Sequence, residues 1–353
     1  MKKLSFAAGA ALLASTAMVQ AGGIERTNQS VDIIFEEGSL VEFGISYALP
    51  SVSGTGPDAP TPLDTGIMSP NYFGFSGAYK TDISDKVGLA IIFDQPFGSL
   101  ADYTQNVYTG TNADLTSSAI TVIGSYDVTD RVVLFGGGTY QTLQATAAVP
   151  LAAYTIVADP AAGFGYVAGA AYQIPDIALR VALTYRSAVT TTHTTLETGP
   201  LPGTGPGSMS VTTPQSVNLE FQTGVNPKTL VFGSIRWVNW SAFDLTPNSY
   251  PLGALVDYTD DRVTYNLGVG RKLSDTLSAA VTLGYERDLG GPSTVLGPTD
   301  GFFSLGGGLT YTMGNTKISA GAKYIWLGDT AGASGTFTNN SAIGVGVNFS
   351  VAM

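Results

Sequence analysis

The sequence predicts an all-β protein: a transmembrane antiparallel β-barrel of about 14 strands with a short N-terminal plug in its lumen. Three observations carry that prediction. Only 12% of the 353 residues are charged, about half the ~25% of an ordinary soluble domain, and the mean hydropathy is +0.19. Apolar residues recur at every second position, while no uninterrupted apolar run after residue 22 is long enough for a spanning helix. Turn signals alternate between tight pairs and long Gly/Pro/Asp/Thr-rich stretches.

Residues 1–21 read as an export signal. Lys2 and Lys3 precede an apolar stretch, and Val19-Gln20-Ala21 supplies a small-residue cleavage site. That stretch is shorter than the ~20 residues needed to cross a bilayer. Residues 22–38, GGIERTNQSVDIIFEEG, mix Ile24, Val31, Ile33, Ile34 and Phe35 with Glu25, Arg26, Asp32, Glu36 and Glu37. This composition suits a segment that enters a polar lumen. Residues 39–353 then form the barrel. At 277–285, Leu277, Ala279, Val281, Leu283 and Tyr285 share one face, against Ser278, Ala280, Thr282 and Gly284 on the other. The same split recurs at 179–186 and 341–353. Ser84-Asp85, Thr129-Asp130, Pro175-Asp176, Asn226-Pro227, Ser274-Asp275 and Gly314-Asn315 predict tight hairpins. Longer loops are expected near 55–68, 105–114, 150–162, 199–207, 247–260, 290–300 and 328–340. Short turns on one side and long loops on the other match bacterial outer-membrane barrels, whose short turns are periplasmic. Tyr79, Tyr126, Tyr172, Tyr185, Tyr285, Tyr311, Tyr324 and Trp326 near strand ends fit aromatic girdles. A soluble secreted sandwich or propeller shares the turns, but would bury its greasy face.

Composition excludes several functions. There is no cysteine, hence no disulfide framework or cysteine-ligated metal site. A formal charge of −11 gives no footprint for nucleic acid. His193 is the only histidine, expected as an exposed hydrogen-bonding residue. The glycine triplets at 136–138 and 306–308 lie inside strands with no helix following, so neither is a phosphate loop. No enzyme chemistry, cofactor or metal is expected.

Several stretches carry a family resemblance. Ala182-Leu-Thr-Tyr-Arg-Ser187, Pro70-Asn71-Tyr-Phe-Gly74, Val52-Ser-Gly-Thr55 and Trp240-Ser-Ala-Phe243 together resemble the FadL-type outer-membrane transporters of long-chain fatty acids and aromatic hydrocarbons. The likeness spans nearly all of the exported chain. It implies a 14-stranded barrel with an N-terminal hatch, passive import of a hydrophobic small molecule, and contact with outer-membrane lipid, lipopolysaccharide and the barrel assembly machinery, the barrel acting as a monomer. A non-specific porin is the alternative, and an outer-membrane lipase using His193 a more distant one. Two features depart from the family: the hatch is short and lacks an Asn-Pro-Ala element, and the chain ends on Met353 rather than an aromatic, although Phe349 has the right parity.

The resemblance also assigns candidate sites. The third and fourth extracellular loops would form an apolar capture groove. Pro150-Leu-Ala-Ala-Tyr-Thr-Ile-Val157 and the stretch from Pro200 through Met209 correspond to them, with Leu151, Tyr154, Ile156, Val157, Leu201 and Met209 as candidate contacts. The lumen-facing parity offers Arg180, Arg186 and Arg236 to a carboxylate headgroup. The bland reading of these arginines is a charge ladder with Glu220 and Glu286. Strand three contains Asp94-Gln95-Pro96-Phe97-Gly98, where Pro96 cannot donate to a ladder and Gly98 adds no packing. The wall should break there, and Asp94, Pro96, Phe97 and Gly98 are the candidate lateral gate.

Overall fold

The computed structural model describes residues 24–56, 63–290, 296–332 and 335–353. The expected export signal, residues 1–21, lies outside them. Fourteen strands close into one antiparallel barrel: β1 (Leu40–Ser51), β2 (Tyr72–Ser84), β3 (Val87–Asp94, resuming as Gly98–Asp102), β4 (Asn112–Thr129), β5 (Val132–Val149), β6 (Tyr154–Ile174), β7 (Leu179–Arg186 and Val189–Thr198), β8 (Gly205–Thr213 and Ser216–Asn226), β9 (Thr229–Val238), β10 (Arg262–Lys272), β11 (Leu277–Glu286), β12 (Phe302–Met313), β13 (Thr316–Leu327) and β14 (Ser341–Ala352). Each pairs with its neighbours in sequence. The seam shuts where β1 meets β14, from Leu40 opposite Ala352 to Ser51 opposite Ser341. Closure removes the unpaired edges that hydrocarbon cannot hydrate.

The period-two pattern becomes two faces. Val281, Leu283, Tyr285, Phe303, Leu305, Trp326, Ile343, Val345 and Phe349 are exposed outward, where lipid surrounds them. Their alternates Ala280, Glu286, Ser304, Lys323 and Asn348 are buried in the interior. Tyr79, Tyr126, Tyr172, Tyr285, Tyr311 and Tyr324 are all on the exposed face. All six short breaks are hairpins on the side that carries both barrel ends.

Two loop boundaries differ from expectation. Pro150–Ala152 is one 3-10 turn, and β6 begins already at Tyr154; β8 begins at Gly205. The apolar stretches assigned to loops three and four, 150–157 and 200–209, are therefore half strand. Inward Tyr154, Ile156 and Ala158 alternate with outward Thr155, Val157 and Asp159, the same two-residue period as the membrane part.

The N-terminal segment runs inside the wall. Val31, Ile33 and Ile34 pack in one cluster with the inward-facing Leu40, Ala90, Ile123, Phe135 and Val167. Asp32–Phe35 forms a single 3-10 turn before β1. A second, larger cluster fills the extracellular mouth around Trp240, Phe243, Tyr103, Tyr154 and Phe337.

Candidate functional site

The mouth is capped by the connection between β9 and β10. It opens with a 3-10 turn, Trp240–Ala242, and folds back through a two-residue ladder of Asp244–Leu245 with Val256–Asp257. Two carboxylates pin this cap. Asp261 Oδ1 accepts from Ser241 Oγ (2.6 Å), Asn239 Nδ2 (2.9 Å) and Ser241 N (3.2 Å), and Oδ2 accepts from Trp237 Nε1 (3.1 Å). Burial pushes the Asp261 carboxyl up, but these donors outweigh it and hold it below the usual carboxylate range. Buried Glu197, on β7, accepts from Tyr154 OH (2.7 Å), Ser249 N (2.9 Å) and Asn248 N (3.3 Å).

Beneath the cap lies an apolar cavity of about 490 Å3, counting the part open to solvent. Ile24, Leu115, Ala147, Ile156, Met209, Phe243, Leu245, Leu255 and Leu296 line it. Of the six loop-groove candidates, Ile156 and Met209 are on this lining. Tyr154 is buried beside it, its ring tilted against that of Tyr250 with centroids 4.9 Å apart. Leu151, Val157 and Leu201 are exposed and do not line it: Val157 has the outward parity, and the other two sit on turns. Sequence reasoning missed Leu115, Leu245, Leu255 and Leu296, which come from three separate segments: β4, the β9–β10 connection and the β11–β12 connection. Phe243 belonged to a motif already noticed, and Ile24 to the plug.

The lumen arginines converge on the N-terminal segment. Arg236 pairs with Glu25 and also donates to Gln29 Oε1 (3.0 Å), Ser216 Oγ (3.1 Å) and Asn218 Oδ1 (2.6 Å). Arg180 pairs with Asp32 at 2.7 Å and lies over the Phe35 ring, 4.4 Å from its centroid. Arg186 donates to the Gln29 carbonyl at 2.9 Å. As a headgroup site the trio meets an obstacle: Arg236 and Arg180 already hold acids of the chain itself. Glu220 and Glu286 are buried nearby in the wall, as the charge-ladder reading expects, but the partners that matter most come from the plug.

Strand three breaks where Pro96 stands. Its ladder with β4 runs to Asp94 opposite Ala119 and resumes at Gly98 opposite Thr116. Gln95, Pro96 and Phe97 thus face only Ser117 and Ser118, one residue too many, as in a bulge. On the other side, β2 pairs with β3 only from Gly77 onward, so among the described residues its first turns, from Tyr72 to Ser76, have a ladder with β1 alone. The freed groups find partners. Arg26 N donates to Pro96 O (2.8 Å), Gly98 N to Ile24 O (2.7 Å), Phe97 N to Ser117 Oγ (2.8 Å), and Gln95 Oε1 accepts from Phe75 N (2.9 Å). Thr27 Oγ1 donates to Asp94 Oδ2 at 3.0 Å. Phe97 turns inward, edge-on to Trp240 of the cap at 6.0 Å. Asp94, Pro96, Phe97 and Gly98 are therefore one local structure, stitched to residues 24–27.

His193 is buried rather than exposed. Its Nε2 and the Thr191 hydroxyl are 2.7 Å apart and its Nδ1 lies 2.8 Å from the Asp159 carbonyl, because position 193 has the inward parity of β7.

A closed 14-stranded outer-membrane barrel with an internal N-terminal segment, a capped apolar cavity and a broken third strand defines a transport class. Residues 24–351 match the model of the family described as outer membrane protein transport protein (OMPP1/FadL/TodX), and the chain belongs to that family of outer-membrane transporters of hydrophobic substrates. No curated protein matches the sequence. The fold resembles a FadL homologue of Pseudomonas aeruginosa (TM-score 0.74, 15% identity, 99% of this chain and 98% of that one). It also resembles the toluene transporter TodX of Pseudomonas putida (0.68, 12%, 96% and 96%) and the toluene transporter TbuX of Ralstonia pickettii (0.61, 15%, 90% and 90%).

Proposed function

We propose that this barrel takes up a hydrophobic small molecule passively: the molecule lodges in the cavity under the cap and leaves sideways into the bilayer at the break in β3. One observation carries the reading. Ile24 forms part of the cavity lining, and its carbonyl accepts from Gly98 in the break. Site and exit thus share a single residue of the N-terminal segment. A guest gains about 0.8 kcal/mol for each CH2 it buries, which is enough to draw it in without an energy source, and the surrounding hydrocarbon receives it on the same terms.

Two features weigh against the alternatives. A non-specific porin needs a wide aqueous path, whereas the N-terminal segment lies inside the barrel, its Val31, Ile33 and Ile34 packed on the inner wall of β1 and β3–β6, and narrows the lumen. A lipase needs a histidine that an ester can reach, whereas His193 is buried against the wall. TodX and TbuX are described as toluene transporters and the P. aeruginosa protein as a FadL homologue; both cargo types are compatible with an apolar lining. The test is fluorescence displacement on the detergent-purified barrel with a long-chain fatty acid and an alkylbenzene, followed by uptake into vesicles. Saturable binding of either with uptake supports the transporter. Steady ion conductance with no binding to either replaces it with the porin.

A further inference from the structure

We propose that Arg26 is a carboxylate-binding station at the break in β3, taking the ionised headgroup of an amphipathic carboxylic acid as its apolar tail passes into the membrane. This rests on the transport reading above and narrows its cargo class.

Arg26 is held in place by its backbone. Its N–H donates to Pro96 O, while the Ile24 carbonyl accepts from Gly98 N. The side chain crosses directly over Gly98: a Cβ there would sit 2.3 Å from Arg26 Nε and 2.4 Å from Cζ, so only glycine admits the guanidinium. Cζ then stacks 4.2 Å from the centroid of the Tyr72 ring, on the stretch of β2 that β3 leaves unpaired. A cavity of about 560 Å3 opens at this point, bounded by Arg26, Tyr72, Phe75, Gln95, Val347 and Asn348 among others, with no acidic residue on its lining.

Within that cavity Arg26 Nε and Nη2 are buried without a hydrogen-bond partner. Guanidinium stays protonated at any physiological pH, and buried N–H groups of a cation that lack acceptors are costly. The face of Tyr72 offsets part of that cost but leaves the N–H edges unfilled. The contrast with the other cations that meet this segment is sharp: Arg236 has Glu25, Arg180 has Asp32, and Arg186 has the Gln29 carbonyl. A carboxylate matches these donors in charge and bonding geometry, since it accepts two parallel N–H bonds from one guanidinium. A hydrocarbon offers nothing to those donors. The apolar side chains of Phe75, Ile45 and Val347 on the same lining suit the first methylenes of the tail.

The experiment compares uptake of oleate and oleyl alcohol, equal in tail and different in headgroup, by the full chain in phosphatidylcholine vesicles. Arg26→Gln is expected to lower the oleate-to-alcohol uptake ratio at least tenfold. Gly98→Ala, which keeps the charge but displaces it, should lower the ratio in the same direction and serves if Arg26→Gln does not assemble; heat-dependent gel migration verifies the barrel in each. An unchanged ratio in folded variants overturns the proposal while leaving transport standing. So does a loss that follows added phosphatidylglycerol rather than the cargo headgroup, which would assign the anion to a membrane lipid. Uptake of neither probe by the wild type overturns this inference, and the transport reading falls with it only if an alkylbenzene is not taken up either.

Discussion

Removing Glu25 should unlatch the N-terminal segment without unfolding the barrel. Glu25 and Arg236 are both almost fully buried, with side-chain exposures of 3% and 2%. Glu25→Ala leaves Arg236 with Ser216, Asn218 and Gln29 but no counter-charge. Deleting one partner of a buried ion pair costs about 3–5 kcal/mol, chiefly from the charge left behind. At about 1.4 kcal/mol per decade, the released form of residues 24–31 should become roughly 100- to 3,000-fold more populated. The barrel ladder does not include this segment, so thermal unfolding of the wall should shift little. The Arg26 amide, bonded to Pro96 O, is the reporter, and hydrogen exchange by mass spectrometry on the peptide containing it gives the readout. Arg236→Met in the Glu25→Ala background should restore much of the protection, because a neutral, well-packed pair costs far less than a lone buried charge. Exchange of that peptide within threefold of wild type in Glu25→Ala would refute the latch.

Three further outcomes follow from the geometry. Ala147→Phe projects a ring into the 490 Å3 cavity and should weaken hydrophobe binding at least tenfold, whereas Leu151→Ser, at an exposed turn outside the lining, should change it less than twofold; displacement titration measures both. Deleting Pro96 removes the surplus residue opposite Ser117 and Ser118, so the ladder becomes continuous, and uptake into vesicles should fall at least tenfold in a barrel of normal gel mobility; wild-type uptake would sink the lateral exit. The folded-state pKa of Asp261 is depressed, so its hold on the cap is complete above the unfolded value of about 4 and is lost as pH falls through the lower folded value. Tryptophan fluorescence should therefore be flat from pH 8 to 5 and change only below about 4, and Asp261→Asn should destabilise the cap by about 1–3 kcal/mol at neutral pH.

The wall was readable because lipid imposes a simple rule on it. Leu283 and Tyr285 must face hydrocarbon and their neighbours must not, so a period of two survives in the sequence, and tight turns such as Asn226-Pro227 punctuate it. Pro96 was readable for the same reason, since a missing N–H is a defect wherever it falls. The cavity was not. Leu115, Leu245, Leu255 and Leu296 meet through long loops and the curvature of the barrel, and no local pattern ties them. The parity of Tyr154, Ile156 and Ala158 would have placed β6 correctly had it outweighed the turn signal of Pro150. Arg26 escaped notice because its neighbour Gly98 lies 72 positions away, and a glycine's role as a passage for another side chain appears only when the two are brought together.

The lumen arginines also set what a guest can do inside. The N–H groups of Arg236 go to Glu25, Gln29, Ser216 and Asn218, so an incoming carboxylate reaches this cation only by replacing Glu25. Exchanging one buried carboxylate for another keeps the charge balance, and the free-energy difference is then small compared with the cost of leaving Arg236 alone. An uncharged hydrocarbon cannot make that exchange; it can act on the segment only through Ile24, by filling the cavity that Ile24 lines. Under the proposed function the two cargo classes would therefore press on the same segment at positions one residue apart, one electrostatically at Glu25 and one sterically at Ile24. Arg26, next in the chain, bonds the Pro96 carbonyl through its N–H, so three consecutive residues, 24–26, touch the cavity, Arg236 and the wall break.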